Sequence, residues 1–203
     1  MIMQVKTFFS YNGRKALYFS TLAVLIHFLS ACSSAPNALT YYLLHSTEVT
    51  SLPSYDFKQT IVLDNLTLPE YLKHRGLVYQ TSDTNLHIST SHLWAEPVDE
   101  GITKLLTKAL AKKYVSLNTT NHFPNQATIH MSLHISDFVS TYQGEVLLTG
   151  QFVIKQTSGE VKSHPFLFKS PLANDGFSSS IKAMRDTIEQ LSLKITEATA
   201  NAG

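Results

Sequence analysis

Ala127-Thr128-Ile129-His130-Met131-Ser132-Leu133-His134-Ile135-Ser136 is the stretch that decides the fold class. Apolar and polar residues alternate without a break across it. Side chains of an extended strand point to opposite faces in turn, so this period of two predicts a long strand with one buried face. Tyr142-Gln143-Gly144-Glu145 then reads as a turn, and Val146 to Ile154 returns as a second long strand, antiparallel to the first. A further turn at Ser158-Gly159 leads into a third strand from Val161 to Lys169.

The pattern changes period on both sides of this block. Downstream, Phe177, Ile181, Met184, Ile188, Leu191, Ile195 and Ala198 recur at spacings of four and three, which predicts a helix over about 177–200. Its apolar seam covers only three heptads, so a helix packed on its own sheet is favoured over a coiled coil. Upstream, Glu96-Pro97-Val98-Asp99 opens another helix, because proline suits a first helical turn and acids complement its positive end. Val98, Ile102, Leu105, Leu106, Ala109 and Leu110 form its apolar face, and Tyr114 to Leu117 follows as a strand.

Earlier still, strands are expected at 40–44 and 60–66, the second rich in β-branched residues, with a loop at 45–58 between them. Pro69 lacks a backbone donor, so Leu68-Pro69-Glu70-Tyr71-Leu72 reads as a turn into a short helix ending near Gly76. Leu77 to Thr81 and Asn85 to Ser89 flank Ser82-Asp83-Thr84 as a hairpin. These strands and helices make a single α/β domain.

The N-terminal stretch has a different logic. Lys6, Arg14 and Lys15 precede an apolar run from Ala16 to Leu29, and Leu29-Ser30-Ala31-Cys32 ends it. A basic flank, an apolar run and small residues before a cleavage point make a signal peptide, and the run is too short for a lasting span. Leu-Ser-Ala-Cys resembles a bacterial lipobox. Cleavage between Ala31 and Cys32 makes 1–31 a signal peptide and leaves Cys32 as the acylated first residue. Residues 32–39 form an acylated tether, and 40–200 form the domain. Ser33, where enteric-type bacteria place Asp to retain lipoproteins in the inner membrane, points to the outer membrane.

Maturation changes the charge. The leader carries three of the 16 Lys+Arg and none of the 15 Asp+Glu, leaving 13 against 15 and a net charge of −2. A basic nucleic-acid surface is therefore not expected. Cys32 is the only cysteine, so no disulfide or cysteine metal site is expected. His130 and His134 have the spacing of a zinc-binding helix, but Met131 stands where that motif needs glutamate. On a strand they lie ~13 Å apart, too far to share a metal. No nucleophile elbow or phosphate-cradling glycine loop occurs, so no catalytic residue, metal or cofactor is expected beyond the covalent lipid on Cys32. Trp94 reads first as a core plug at the start of a helix and second as an interface anchor. Tyr71 and Tyr79 invite the same two readings, so all three are partner-interface candidates.

Leu68-Pro69-Glu70-Tyr71-Leu72, Gly76-Leu77-Val78-Tyr79-Gln80-Thr81-Ser82-Asp83 and Leu93-Trp94-Ala95-Glu96-Pro97 follow the lipobox in order, and Gly144-Glu145-Val146 leads on to Gly150. This set resembles the ABC-type transport auxiliary lipoproteins, in their PqiC-type branch. Lys73-His74-Arg75 is more basic than that pattern. The resemblance implies a mixed β-sheet with helices packed on it and a non-enzymatic outer-membrane lipoprotein facing the periplasm. It also implies a homo-oligomeric ring that receives an MCE tunnel protein (PqiB-like), with an inner-membrane partner (PqiA-like), in lipid transport between membranes. The alternative from another class is a stand-alone structural or assembly-factor lipoprotein, and a hydrolase is the third reading.

Overall fold

The computed structural model describes residues 38–45, 56–119, 129–156 and 159–200. Its strands are β1 (Thr40–Tyr42), β2 (Gln59–Thr67), β3 (Gly76–Gln80), β4 (Leu86–Trp94), β5 (Val115–Thr119), β6 (Ile129–Ser140), β7 (Glu145–Gln156) and β8 (Val161–Pro171). Its helices are α1 (Val98–Ala111) and α2 (Phe177–Ala200). Leu39–Gly203 forms one compact unit.

β6 is the axis. Ile129, Met131, Leu133 and Ile135 are buried while His130, Ser132, His134 and Ser136 are exposed, as the alternation requires. β7 and β8 extend one edge of β6 as an antiparallel meander. The other edge is shared end to end. β2 pairs parallel with it from Ile61↔Ile129 to Thr67↔His134, and β3 pairs parallel at Tyr79↔Ser140. β5 lies parallel outside β2, β4 antiparallel outside β3, and β1 parallel outside β4. The result is an eight-stranded mixed sheet.

Gly150 allows β6 and β7 to stay paired across a register shift between Ile135 and Asp137. Its φ of +156° is disfavoured for other residues, and a Cβ there would sit 2.1 Å from the His134 carbonyl oxygen.

The two helices cover the face of the sheet that holds the odd-numbered residues Ile129 to Ile135. α2 buries Ile181, Met184, Ile188, Leu191 and Ile195 in the core that also takes Phe138, Leu148, Phe152 and Phe166. Each such side chain contributes about 1.5–3 kcal/mol on leaving water. The α2 seam is thus filled by its own sheet and by α1. α1 adds Val98, Ile102, Leu106 and Leu110 to the same core.

Several boundaries differ from the sequence expectation for local reasons. β1 stops at Tyr42, because Leu44 turns inward and is buried. The short helix after Pro69 is one 3-10 turn, Glu70–Lys73. β5 begins at Val115, since Tyr114 takes a left-handed φ of 60° that closes the end of α1. Residues 127–128, most of the 45–58 loop, Ser158 and the leader and tether through residue 37 lie outside the described residues.

Candidate functional site

The gap between β2 and β3 positions one wall of an open cleft. Both strands follow the same edge of β6, and the turn between them interrupts the ladder opposite Phe138. Tyr71 fills that interruption, its hydroxyl accepting a hydrogen bond from the Phe138 N–H at 3.1 Å. Burial pushes the Tyr71 phenol up to about 12; the Phe138 bond works against the rise and the Asp137 carboxylate adds to it.

The same turn is clamped to the segment that starts α1. The Trp94 N–H donates to the Arg75 carbonyl at 2.8 Å, and the Ala95 N–H donates to the Tyr42 carbonyl at 2.8 Å. The Pro-x-Tyr-Leu and Leu-Trp-Ala-x-Pro blocks, more than twenty residues apart in sequence, therefore meet. Between them lies an open cleft of about 490 Å³, with Leu66, Leu68, Leu72, Arg75, Trp94 and Pro97 among its walls. Trp94 is 4% exposed and belongs to the core beneath the cleft.

Charge organises the α1 side of the cleft. Glu96 faces His45 at 2.8 Å and also bonds Lys104. Burial opposes its ionisation, but the Lys104 hydrogen bond and the nearby His45 outweigh it and hold the carboxyl below the usual range. Arg185 of α2 adds a second clasp on the same segment. Its Nε donates to the Leu44 carbonyl at 2.6 Å, and one Nη donates to the Leu43 carbonyl at 3.1 Å and the His45 carbonyl at 3.4 Å. The segment leading out of β1 is thus fixed to both helices.

Tyr79 lies elsewhere. It contacts His87 with ring centroids 5.1 Å apart and Phe177 at 5.7 Å, while His92 packs on Phe177 at 4.3 Å. This aromatic group borders a smaller hollow of about 240 Å³ with Ser140 and Leu172. Of the three aromatic candidates, Trp94 lines the cleft, Tyr71 covers the strand break at Phe138, and Tyr79 borders the smaller hollow.

His130 and His134 project from the exposed side of β6, and His130 pairs with Asp64 at 2.9 Å. No trio of His, Cys, Asp or Glu among the described residues is placed to hold a metal ion. Ala31 and Cys32 lie outside the described residues. Sequence reasoning missed Arg185 and the Glu96 cluster. Their partners are backbone carbonyls about 140 residues away in one case and His45, 51 residues back at the start of the expected loop, in the other, so no local signal marked them.

Comparison with known proteins gives a consistent result. The family model described as the ABC-type transport auxiliary lipoprotein component matches residues 42–196. The intermembrane transport lipoprotein PqiC of Escherichia coli K12 is 25% identical over 178 residues, covering 87% of this chain and 94% of the relative. PqiC of Shigella flexneri matches to the same extent. Among solved structures, an uncharacterized protein superposes with a TM-score of 0.67 at 22% identity, covering 80% of this chain and 99% of its own. Protein XCC0632 from Xanthomonas campestris superposes at 0.57 with 14% identity, covering 77% of this chain and 92% of its own. These two share the fold. The matched range contains both blocks that line the cleft.

Proposed function

This chain belongs to the ABC-type transport auxiliary lipoprotein family, and on that premise we propose that it is an outer-membrane lipoprotein that docks the tunnel protein of a Pqi-type MCE assembly. It is held to the membrane by acyl chains on Cys32, faces the periplasm and is not an enzyme. Its partners are a PqiB-like tunnel protein and a PqiA-like inner-membrane protein, and copies of the chain assemble as a ring around the tunnel end. The lipoprotein name of the curated relatives and the lipobox at Leu29–Cys32 support the anchor. Among the described residues no helix is long and apolar enough to cross a membrane. A bound acyl chain contributes ~0.8 kcal/mol per buried CH₂, and two or more chains hold stably where one does not.

The observation that carries the docking role is the convergence of the two sequence blocks on one clamped, open cleft. Trp94 and the β1 exit beside it are each held by hydrogen bonds to backbone groups. A preordered surface of this kind binds without a large ordering cost. Substitution of Cys32 by alanine tests the anchor. The variant is expected to fold, to leave the outer-membrane fraction and to fail to restore envelope integrity in a strain lacking the gene. Full complementation by a soluble periplasmic form would contradict the proposal.

A further inference from the structure

Lys73, His74 and Arg75 form an exposed corner between the 3-10 turn and β3. Lys73 shares its charge with Glu70 at 2.7 Å. Among the described residues, no carboxylate lies within ion-pair distance of His74 or Arg75. The Arg75 guanidinium sits over the ring of Tyr41, 5.4 Å from its centroid. Tyr41 is 49% exposed and Leu39, two residues earlier, is 54% exposed. Strand alternation puts both on the side opposite Tyr42, whose ring contacts Phe177 of α2. They therefore point away from the helices.

We propose that this corner, Leu39, Tyr41 and Lys73 to Arg75, lies against the surface of a membrane bearing acidic phospholipid headgroups. The proposal rests on the acylation of Cys32. Seven residues, Ser33 to Leu39, separate the lipid from the corner. Fully extended they span at most about 25 Å, and as a relaxed chain about 15 Å. The corner is thus the part of the domain tied nearest to the bilayer. Its composition suits that position. Tyrosine favours the headgroup level, where its ring is half-immersed, and arginine can extend its charge to phosphate while its stem stays on apolar surface. The net charge of −2 on the mature chain works the other way for the rest of the domain. An anionic surface repels most of it and selects the side with the unpaired cation. Lys73, His74 and Arg75 are also one wall of the cleft, so membrane contact on this side borders the surface offered to a protein partner.

Trp94 is the only tryptophan and is one backbone hydrogen bond from Arg75, so it reports on this corner. The acylated mature protein is reconstituted into phosphatidylcholine vesicles with or without phosphatidylglycerol, using lipids brominated near the carbonyl end as quenchers. Quenching of Trp94 emission is expected in the phosphatidylglycerol vesicles. Most of it should be lost on raising the salt, in K73E/R75E and in L39S/Y41S, with unchanged thermal unfolding. Equal quenching in neutral vesicles, or in the variants, would overturn the contact. The mass of the purified protein separates the two proposals. Acylated protein with no quenching refutes this inference alone, whereas protein without acyl mass removes the anchor and this inference with it.

Discussion

Replacing Tyr71 with phenylalanine removes one oxygen and keeps the ring. That oxygen accepts the Phe138 N–H at 3.1 Å, where β2 has ended and β3 has not begun. Without it the N–H loses its partner beside a fully buried side chain, since Phe138 is 0% exposed. An unsatisfied buried donor costs about 1–3 kcal/mol. For a domain of this size each kcal/mol lowers Tm by about 2–4 °C, so the expected fall is about 2–12 °C. The pH dependence gives a second, independent check. The Tyr71 phenol is raised to about 12 in the folded protein, against about 10 in an unfolded chain. Below pH ~10 both states keep the proton and the stability is fully present. Between pH ~10 and ~12 the unfolded chain releases it and the folded one does not, so about 2–3 kcal/mol is lost across that window. The phenylalanine variant has no such loss. Urea unfolding of both proteins at pH 8 and at steps up to pH 11.5 measures the difference, which should narrow as pH rises. A variant within ~0.5 kcal/mol of the parent at pH 8, or a gap that does not change with pH, would refute the assignment of Tyr71 as the bridge across the strand break.

Other perturbations follow from the same geometry. Arg185→Met strips three carbonyls of a charged donor, and at about 1.5–3 kcal/mol for a hydrogen bond to a charged group the loss should exceed 2 kcal/mol in chemical denaturation; Arg185→Lys should recover only part, because an ammonium lacks the planar fork. Gly150→Ala forces a Cβ to within 2.1 Å of the His134 carbonyl, so β6 and β7 should separate locally and their amide hydrogen exchange should rise. Ile188→Ala removes a fully buried side chain from the centre of the α2 seam and should cost about 2–5 kcal/mol.

Much of this molecule can be read along the chain because its longest elements are self-announcing. β6 alternates strictly and α2 repeats every three or four residues, so each declares its buried face without reference to a partner. The parallel pairing of β2 with β6 carries no comparable mark: their partners Ile61 and Ile129 are far apart in sequence, and the alternation of either strand says nothing of its neighbour. The end-to-end sharing of one β6 edge by β2 and β3 is equally silent. It depends on Pro69 stopping one strand and Tyr71 covering the break, and only the first of these is visible in sequence. Trp94 is the clearest case at the site. Its block was legible as a motif, but that it forms the floor of a cleft with the Pro69–Leu72 block is a tertiary fact. Arg185 was the least legible of all, since its partners are main-chain carbonyls that any sequence would supply.

As proposed, this chain is a lipid-anchored docking subunit and not a free-standing factor. Affinity purification of the tagged, acylated protein from solubilised envelopes tests it most directly, with the copurifying chains identified by mass spectrometry. Recovery of an MCE-domain protein together with an integral inner-membrane protein is expected. Repeated recovery of acylated, folded protein with neither would contradict it.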